Sequence, residues 1–227
     1  IRASSPSRGL GDVYKRQLLW GCQTPAEWAR AYTIEDLNGT VGGPKAIAQP
    51  GDLVIENDRL RFAVLTARPS MSNHTEGGSI VDADLQRTHP ARANGHGGDQ
   101  FGELFTSINL MVSEIQEDAG TVTIVSDGSD GGAAHLCTVG DGKAFVSLLE
   151  IARTYLGGNI RVRTDYILEP GAPALLVRSY LDRDQVIDCD TIPENTAAAN
   201  SSSVSYPLLD EVTDGGYAFG DFTLFGG

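Results

Sequence analysis

The chain has 227 residues, of which 17 are Lys or Arg and 30 are Asp or Glu, giving a formal net charge of −13 at neutral pH. A chain this acidic repels the phosphates of nucleic acid and of anionic membrane surfaces, which argues against both as direct ligands. No run of about 20 apolar residues occurs, so no segment reads as a membrane-spanning helix. Abundant glycine, 27 residues, and sparse aromatics, 7% of the chain, favour many short strands joined by tight turns.

The beginning of the chain does not read as natural protein. Residues 7–17, SRGLGDVYKRQ, resemble the translation of an adapter and transposase mosaic end used to prepare DNA sequencing libraries. We therefore set residues 1–17 aside and expect them to be disordered; the alternative is a disordered basic arm. Without them 13 basic and 29 acidic residues remain, a net charge of −16. The resemblance implies that the natural start is missing, and we expect the domain to be truncated at its other end as well.

The next residues resemble the end of a bacterial lipoprotein signal. In LLWGC, residues 18–22, apolar residues and a glycine precede Cys22, the residue that would receive the lipid. Trp20 is bulkier than the residue usual at its position, and the alternative is an ordinary buried cysteine. The resemblance implies export and contact with a membrane only through a lipid anchor. Residues 23–43 then form either a tether or one short helix that begins near Thr24 and Pro25.

From residue 44 onward the predicted elements are strands. Residues 53–56 and 59–65 form a hairpin around Asn57 and Asp58, both of which tolerate a tight turn. In its second strand Leu60, Phe62 and Val64 face inward, whereas Arg59 and Arg61 face outward. Loops are expected at 67–79 and 88–98. Further strands are predicted at 80–85, 107–116, 121–126, 133–139, 144–153 and 216–225.

The clearest local pattern is a second hairpin over residues 159–183. Val162, Tyr166 and their alternate neighbours face one side of its first strand, whereas Arg163 and Asp165 face the other. Residues 169–172, Glu-Pro-Gly-Ala, predict a type II turn, because proline presets φ at the second position and glycine accepts a positive φ at the third. The return strand, 175–181, alternates in the same way.

Together these elements predict the fold class. About ten short strands follow one another at intervals of 8–12 residues, with no helices alternating between them. The sequence therefore predicts an all-β protein, an antiparallel β-sandwich that occupies residues 44–227 and is incomplete at its C-terminus.

The first candidate site is a glycine-rich polar segment, HGGDQFGEL, at residues 96–104. Glycines beside polar side chains favour a loop in which the backbone approaches a ligand, so His96, Asp99, Gln100 and Glu103 are candidate ligand contacts. Asp99 and Glu103 form a carboxylate pair suited to acid–base chemistry, and His96 would complete a metal-binding trio. The spacing matches no established metal motif. In the structural alternative, Asp99 and Gln100 accept hydrogen bonds from turn amides.

Two further sets of residues have chemical interest. Asp127 and Asp130, in DGSDGG, offer acidic oxygens to Ca²⁺, although the distal Glu of a calcium loop is absent and a plain hairpin turn fits equally well. No other cofactor is indicated. If Cys22 carries lipid, Cys137 and Cys189 remain as an even pair, which in an exported protein could form a disulfide; the equal alternative is two buried free thiols.

Several segments together resemble one group of proteins. They include GGPKAIAQPGDLVIENDRLRFAV (42–64), GGDQFGELF (97–105) and VRTDYILEPGAPALLVRSYL (162–181). These look like uncharacterised bacterial lipoproteins in which a β-rich domain precedes a metallohydrolase domain of the polymerase-and-histidinol-phosphatase type. The second hairpin is also similar to strands of galactose-mutarotase-like super-sandwiches. The resemblance covers most of residues 42–227, but the His-rich metal motifs of such a hydrolase are absent from it.

The resemblance implies a function as well as a fold. It implies a super-sandwich that acts as a non-catalytic accessory or carbohydrate-binding module, beside a hydrolase domain further along the same chain. A second hypothesis is a sugar-active enzyme of the mutarotase or polysaccharide-lyase kind that uses His96, Asp99 and Glu103. That activity would require these side chains to converge on one substrate. A third hypothesis is a structural spacer without a ligand.

Overall fold

The computed structural model describes residues 26–70, 77–105, 107–108, 111–115, 121–144, 161–182 and 187–190. Ten strands lie in these ranges: β1 (Ala29–Thr33), β2 (Leu53–Asn57), β3 (Leu60–Val64), β4 (Ile80–Leu85), β5 (Ser107–Ile108), β6 (Met111–Glu114), β7 (Thr121–Asp127), β8 (Ala134–Ala144), β9 (Arg161–Leu168) and β10 (Leu176–Asp182). Two single-turn 3-10 helices, Leu37–Gly39 and Pro90–Arg92, lie in the connections.

The strands form two antiparallel sheets. The first has the order β1-β2-β3-β4, and the second has the order β10-β9-β8-β6-β5, with β7 also paired to β8. Strand β8 holds the second sheet together, because β9 pairs along one edge while β7 and then β6 pair along successive parts of the other. The prediction of an all-β antiparallel fold is confirmed.

The main core lies between the two sheets. Its buried apolar residues come from β1 to β4 on one side and from β8 and β9 on the other: Ala29, Ala31, Leu53, Ile55, Val64, Ile80, Ala134, Leu136, Tyr166 and Leu168. Tyr166 is the largest of them, and its hydroxyl donates a 2.6 Å hydrogen bond to the carbonyl oxygen of Gly78. The buried phenol is therefore satisfied, as a polar group in a core must be.

The two predicted hairpin turns dock against each other. Asn57 Nδ2 donates to the carbonyl oxygens of Glu169 and Ala172, both at 2.9 Å, and Gly171 N donates to Asp58 Oδ1 at 2.8 Å. Gly171 has φ of 69°, and Ala172 N donates back to Glu169 O, so the reversal over 169–172 forms as predicted. These bonds fix one end of the first sheet against one end of the second.

A second core covers the outer face of the first sheet. Its buried residues are Ile34, Val41, Val54, Ala63, Leu65 and Val81, with Ile47 and Ala48 packed on top. The same face carries Arg61, which was predicted to face outward and is instead 8% exposed. The prediction treated β3 as half-buried, but the segment around Val41 to Ala48 folds back over it.

The structure of residues 26–43 differs from another expectation. The short helix or tether is replaced over Ala29–Thr33 by β1, which pairs along its full length with β2. Ala29 and Ala31 are buried and Arg30 is exposed, so the segment alternates as a strand does, and its pairing with β2 overrides a composition that is compatible with a helix. Strand β8 also continues through Gly140 and Gly142, past residue 139, where the predicted strand ended.

Several predictions lie outside the described residues. They concern residues 1–17, the lipoprotein signal with Cys22, and the strands predicted at 144–153 and 216–225. No helix in the described part of the chain is long and apolar enough to cross a membrane.

Candidate functional site

The glycine-rich candidate segment packs against residues 41–45, far away in sequence. Gly97 N donates to Val41 O at 3.1 Å, and Asp99 N donates to Gly42 O at 3.2 Å. A Cβ on Gly42 would lie 1.8 Å from Gly95 O, and one on Gly97 would lie 2.4 Å from Val41 O. Gly42 and Gly97 are therefore required because two backbone segments pack closely together. Their role is structural and does not by itself indicate a ligand.

Asp99 is fully buried and holds the loop to β4. Its Oδ1 accepts hydrogen bonds from Ala83 N at 2.9 Å and from Phe101 N at 3.0 Å, whereas its buried Oδ2 has no hydrogen-bond partner. Burial raises the pKa of this carboxyl above its ordinary value, although the two backbone N–H groups act in the opposite direction. Asp99 thus joins the loop to the sheet and presents nothing to solvent.

Glu103 is also buried, and its surroundings differ from those of Asp99. Ser79 Oγ donates to Glu103 Oε1 at 2.6 Å, and the following residue, Leu104, makes a bridge with Ile80. Ala83 and Ser79, which the two carboxylates contact, are separated by roughly 13 Å of extended chain. The two carboxylates therefore anchor the loop at two different points, Ser79 just before β4 and Ala83 within it.

The predicted trio does not form a reactive centre. His96 and Gln100 are exposed, whereas Asp99 and Glu103 are buried. Within the described ranges, no group of three or more His, Cys, Asp or Glu side chains is placed to hold a metal ion. The structure thus divides the candidate segment into two buried carboxylates that bind the protein itself and two exposed side chains that face solvent.

The turn with Asp127 and Asp130 is closed by its own side chains. Ser129 N donates to Asp127 Oδ1 at 2.9 Å, and Gly132 N donates to Asp130 Oδ1 at 2.8 Å. Both aspartates are exposed. Short side chains that bind the backbone two residues on are typical of turns, so the structural alternative accounts for their spacing.

Two other buried aspartates were not recognised in the sequence. Asp52 accepts hydrogen bonds from Thr66 N and Gln49 N, both at 3.0 Å, and is paired with Arg68. Asp82 accepts from Ile47 N at 2.8 Å and from Ala48 N at 3.1 Å. They hold the segment that covers the outer face of the first sheet. No local motif predicts this role, because the hydrogen-bond partners lie up to 35 residues away in sequence.

Asp82 gives the domain a testable pH dependence. Burial raises its pKa to about 6, although the N–H groups of Ile47 and Ala48 oppose the shift. Its contribution to stability is therefore present below the unfolded pKa of 3.8 and is lost as pH rises through about 6. Between pH 5 and 7.5 the Asp82→Asn variant should gain about 1 kcal/mol relative to the natural sequence. Urea unfolding at both pH values measures this.

The matched control is Asp127→Asn in the exposed turn. The pKa of Asp127 is lowered by hydrogen bonds from Ser129, so this carboxyl stays ionised throughout the range and its replacement should leave the pH slope unchanged. Equal slopes for the natural sequence and Asp82→Asn would show that Asp82 does not titrate in this range.

The outer face of the second sheet carries a disulfide and a charged cluster. Cys137 on β8 is bonded to Cys189, 52 residues away, with a Cα–Cα distance of 5.7 Å. Beside it, Arg163 Nε donates to Asp165 Oδ1 at 2.9 Å, and Arg163 Nη1 donates to Asp188 O at 2.7 Å. The disulfide and Arg163 thus hold the segment 187–190 on this face.

His135 completes that cluster. Its Nε2 lies 3.2 Å from Asp165 Oδ1 without the alignment of a hydrogen bond. Burial alone would raise the pKa of Asp165, but the neighbouring His135 and Arg163 lower it overall. This pairing could not be predicted from the sequence, since His135 and Asp165 lie on different strands with no motif around either.

A charged row crosses the outer face of the first sheet. Successive strands place Arg30, Glu56, Arg61 and Asp84 opposite one another in register. Glu56 is fully buried and is paired with both Arg30 and Arg61. At the edge of the sheet the Arg30 guanidinium lies 5.1 Å from the ring of Trp28 and 5.2 Å from that of Tyr32. Alternating charge neutralises the buried members of the row.

At its other edge the row reaches the candidate loop. Asp84 binds Arg87 through both carboxylate oxygens, at 2.9 and 2.6 Å. It also accepts a hydrogen bond from Gly98 N at 2.6 Å. Although burial acts to raise it, the pKa of Asp84 is lowered overall by these hydrogen bonds. The exposed His96 and Gln100 thus flank Gly98 on the side of the loop where Asp84 binds both Gly98 N and Arg87.

The fold and the site define an antiparallel β-sandwich protein with a polar loop fixed to one edge of its first sheet. No protein-family model, no curated protein and no solved structure matches the chain.

Proposed function

We propose that the domain is a non-catalytic accessory module that binds carbohydrate. It belongs to an exported bacterial protein that is anchored by lipid at Cys22 and that carries a metallohydrolase domain further along the chain. The sequence resemblance to lipoproteins of that organisation and to mutarotase-like super-sandwiches supports this proposal, and the antiparallel two-sheet fold agrees with it.

One observation carries the proposal for binding over catalysis. Both carboxylates that acid–base chemistry at the candidate loop would need are buried and engaged by the protein, Asp99 by Ala83 N and Phe101 N and Glu103 by Ser79 Oγ. A general acid or base must reach the proton that it transfers. The side chains that remain exposed, His96 and Gln100, are suited to hydrogen bonding with hydroxyl groups.

The Cys137–Cys189 disulfide supports the proposed location. Disulfides persist in oxidising compartments such as the bacterial periplasm and are rare in the cytosol. The proposal requires no cofactor. Ca²⁺ at Asp127 and Asp130 would have to compete with the backbone N–H groups that already donate hydrogen bonds to these carboxylates.

Affinity electrophoresis of the chain through gels that contain soluble polysaccharides tests the proposal. We expect retardation by at least one polysaccharide. The variants His96→Ala and Gln100→Ala should each weaken it by about two- to tenfold, which corresponds to the loss of one or two hydrogen bonds.

The control for these variants is Ser129→Ala, in an exposed turn of the second sheet, which should migrate like the natural sequence. Migration unaffected by every polysaccharide would favour the structural spacer. Cleavage or epimerisation of a retained glycan would favour the sugar-active enzyme.

A further inference from the structure

Gly98 is the one glycine of the candidate loop's Gly97-Gly98 pair that the backbone does not require. It is not among the residues with positive φ, and a Cβ at this position would meet no backbone atom among its three nearest neighbours. Those neighbours are the ends of two arginine side chains instead: Arg87 Nη2 would lie at 3.2 Å and Arg92 Nη1 at 3.7 Å. Two guanidinium groups therefore converge above a position with no side chain.

The two arginines differ in how their charge is balanced. Arg87 is held by Asp84 in a two-point ion pair, which fixes its orientation. Arg92 ends the short 3-10 helix Pro90–Arg92 and is exposed, and within the described residues no acidic side chain forms an ion pair with it. Among the described residues, one positive charge at Gly98 is thus left without a counter-ion.

We propose that Arg87 and Arg92 form a binding site for the carboxylate of an acidic sugar, seated over Gly98. A guanidinium group presents parallel N–H donors that match a carboxylate, and a rigid, pre-oriented one binds with less loss of side-chain entropy. His96 and Gln100, exposed on the same loop, would then contact the hydroxyl groups of the sugar ring. This inference rests on the proposed function and narrows its ligand to uronic-acid polysaccharides.

The net charge, −13 for the whole chain and −16 without residues 1–17, opposes binding of a polyanion, but distant charges contribute weakly. At physiological ionic strength the Debye length is about 8 Å, so charges elsewhere on the domain are largely screened. The local balance decides, and at Gly98 the two arginines exceed Asp84 by one positive charge.

Isothermal titration of the whole chain with three kinds of probe tests the inference. The probes are short oligomers of galacturonate and of mannuronate, the methyl esters of the same oligomers, and inorganic phosphate. We expect one of the uronates to bind, its ester to bind at least about tenfold more weakly, and phosphate to bind no better than the ester.

The variants locate the site. Arg92→Ala and Gly98→Ala should each reduce uronate affinity about tenfold or more, the first by removing a charged hydrogen bond and the second by filling the seat. Arg92→Lys should retain only part of the uronate affinity, because an ammonium group lacks the planar, two-donor geometry of a guanidinium. Arg178→Ala, at an exposed position on β10, is the control and should leave affinity unchanged.

The remaining outcomes separate the two proposals. Equal binding of uronates and esters, or binding of neutral glycans alone, would overturn the carboxylate site and leave carbohydrate binding intact. Equal binding of phosphate and uronate would show an adventitious anion site only and would also overturn it. Absence of binding to these probes overturns the carboxylate site, and absence of binding to every polysaccharide overturns both.

Discussion

Replacing Glu56 with Gln is expected to lower the free energy of unfolding by about 3 to 5 kcal/mol. Glu56 is fully buried, and its two oxygens pair separately with Arg30 and Arg61. Arg61 is itself 8% exposed, so the substitution leaves a buried guanidinium without its counter-charge; its hydrogen bond to Tyr32 Oη, at 3.1 Å, is to a neutral group. Equilibrium unfolding in urea measures the change.

A double variant separates lost pairing from lost packing. Glu56→Leu combined with Arg61→Met removes both charges and should be more stable than Glu56→Gln alone, because no buried charge is left unpaired. Arg30→Ala is the matched control: its side chain is 58% exposed, so its loss should cost no more than about 1 kcal/mol. A Glu56→Gln variant that unfolds like the natural sequence would show that the buried row contributes no net stability.

Removing the Cys137–Cys189 disulfide is expected to have an effect of similar size. The bond closes a loop of 52 residues, for which the entropy lost by the unfolded chain corresponds to about 4 kcal/mol. The double variant Cys137→Ala/Cys189→Ala should therefore unfold at a clearly lower urea concentration. It also frees the segment 187–190, whose other attachment includes the bond from Arg163 to Asp188 O.

Reduction of the natural sequence provides an independent comparison. Dithiothreitol should shift its unfolding midpoint towards that of the double variant and leave the double variant itself unchanged. A midpoint insensitive to both reduction and substitution would mean that the bond does not constrain the unfolded chain.

The parts of the fold that the sequence predicted are those that neighbouring residues determine. The hairpin around Asn57 and Asp58 and the turn over 169–172 follow from residues that tolerate or preset turn backbone angles. The strands beside them alternate over enough residues for the period to be recognised. Antiparallel pairing of successive strands then follows with little further information.

Distant contacts explain the errors. β1 has a composition compatible with a helix, and its state is decided by β2, which begins at Leu53. Arg61 was assigned to solvent because the segment 41–48 that covers its face could not be placed from the sequence. In both cases tertiary pairing overrides a local preference.

The candidate site was found, but the roles of its residues were not. Asp99 was recognised by its glycine-rich surroundings, yet Gly97 among those glycines serves a contact with Val41 and Gly42, more than 50 residues earlier. Arg87 and Arg92 carry no motif, yet both guanidinium groups lie within 4 Å of the position that a Cβ on Gly98 would occupy. Such convergence depends on the path of the loop, which no spacing rule encodes.

The central claim is that this loop binds a glycan and does not transform it, because Asp99 and Glu103 stabilise the fold. The most direct test follows a retained polysaccharide by NMR during incubation with the natural chain and with Glu103→Gln, in which the amide oxygen still accepts from Ser79 Oγ. We predict that the glycan spectrum remains unchanged with both proteins. New products formed by the natural chain, and lost in an equally folded Glu103→Gln variant, would contradict the claim.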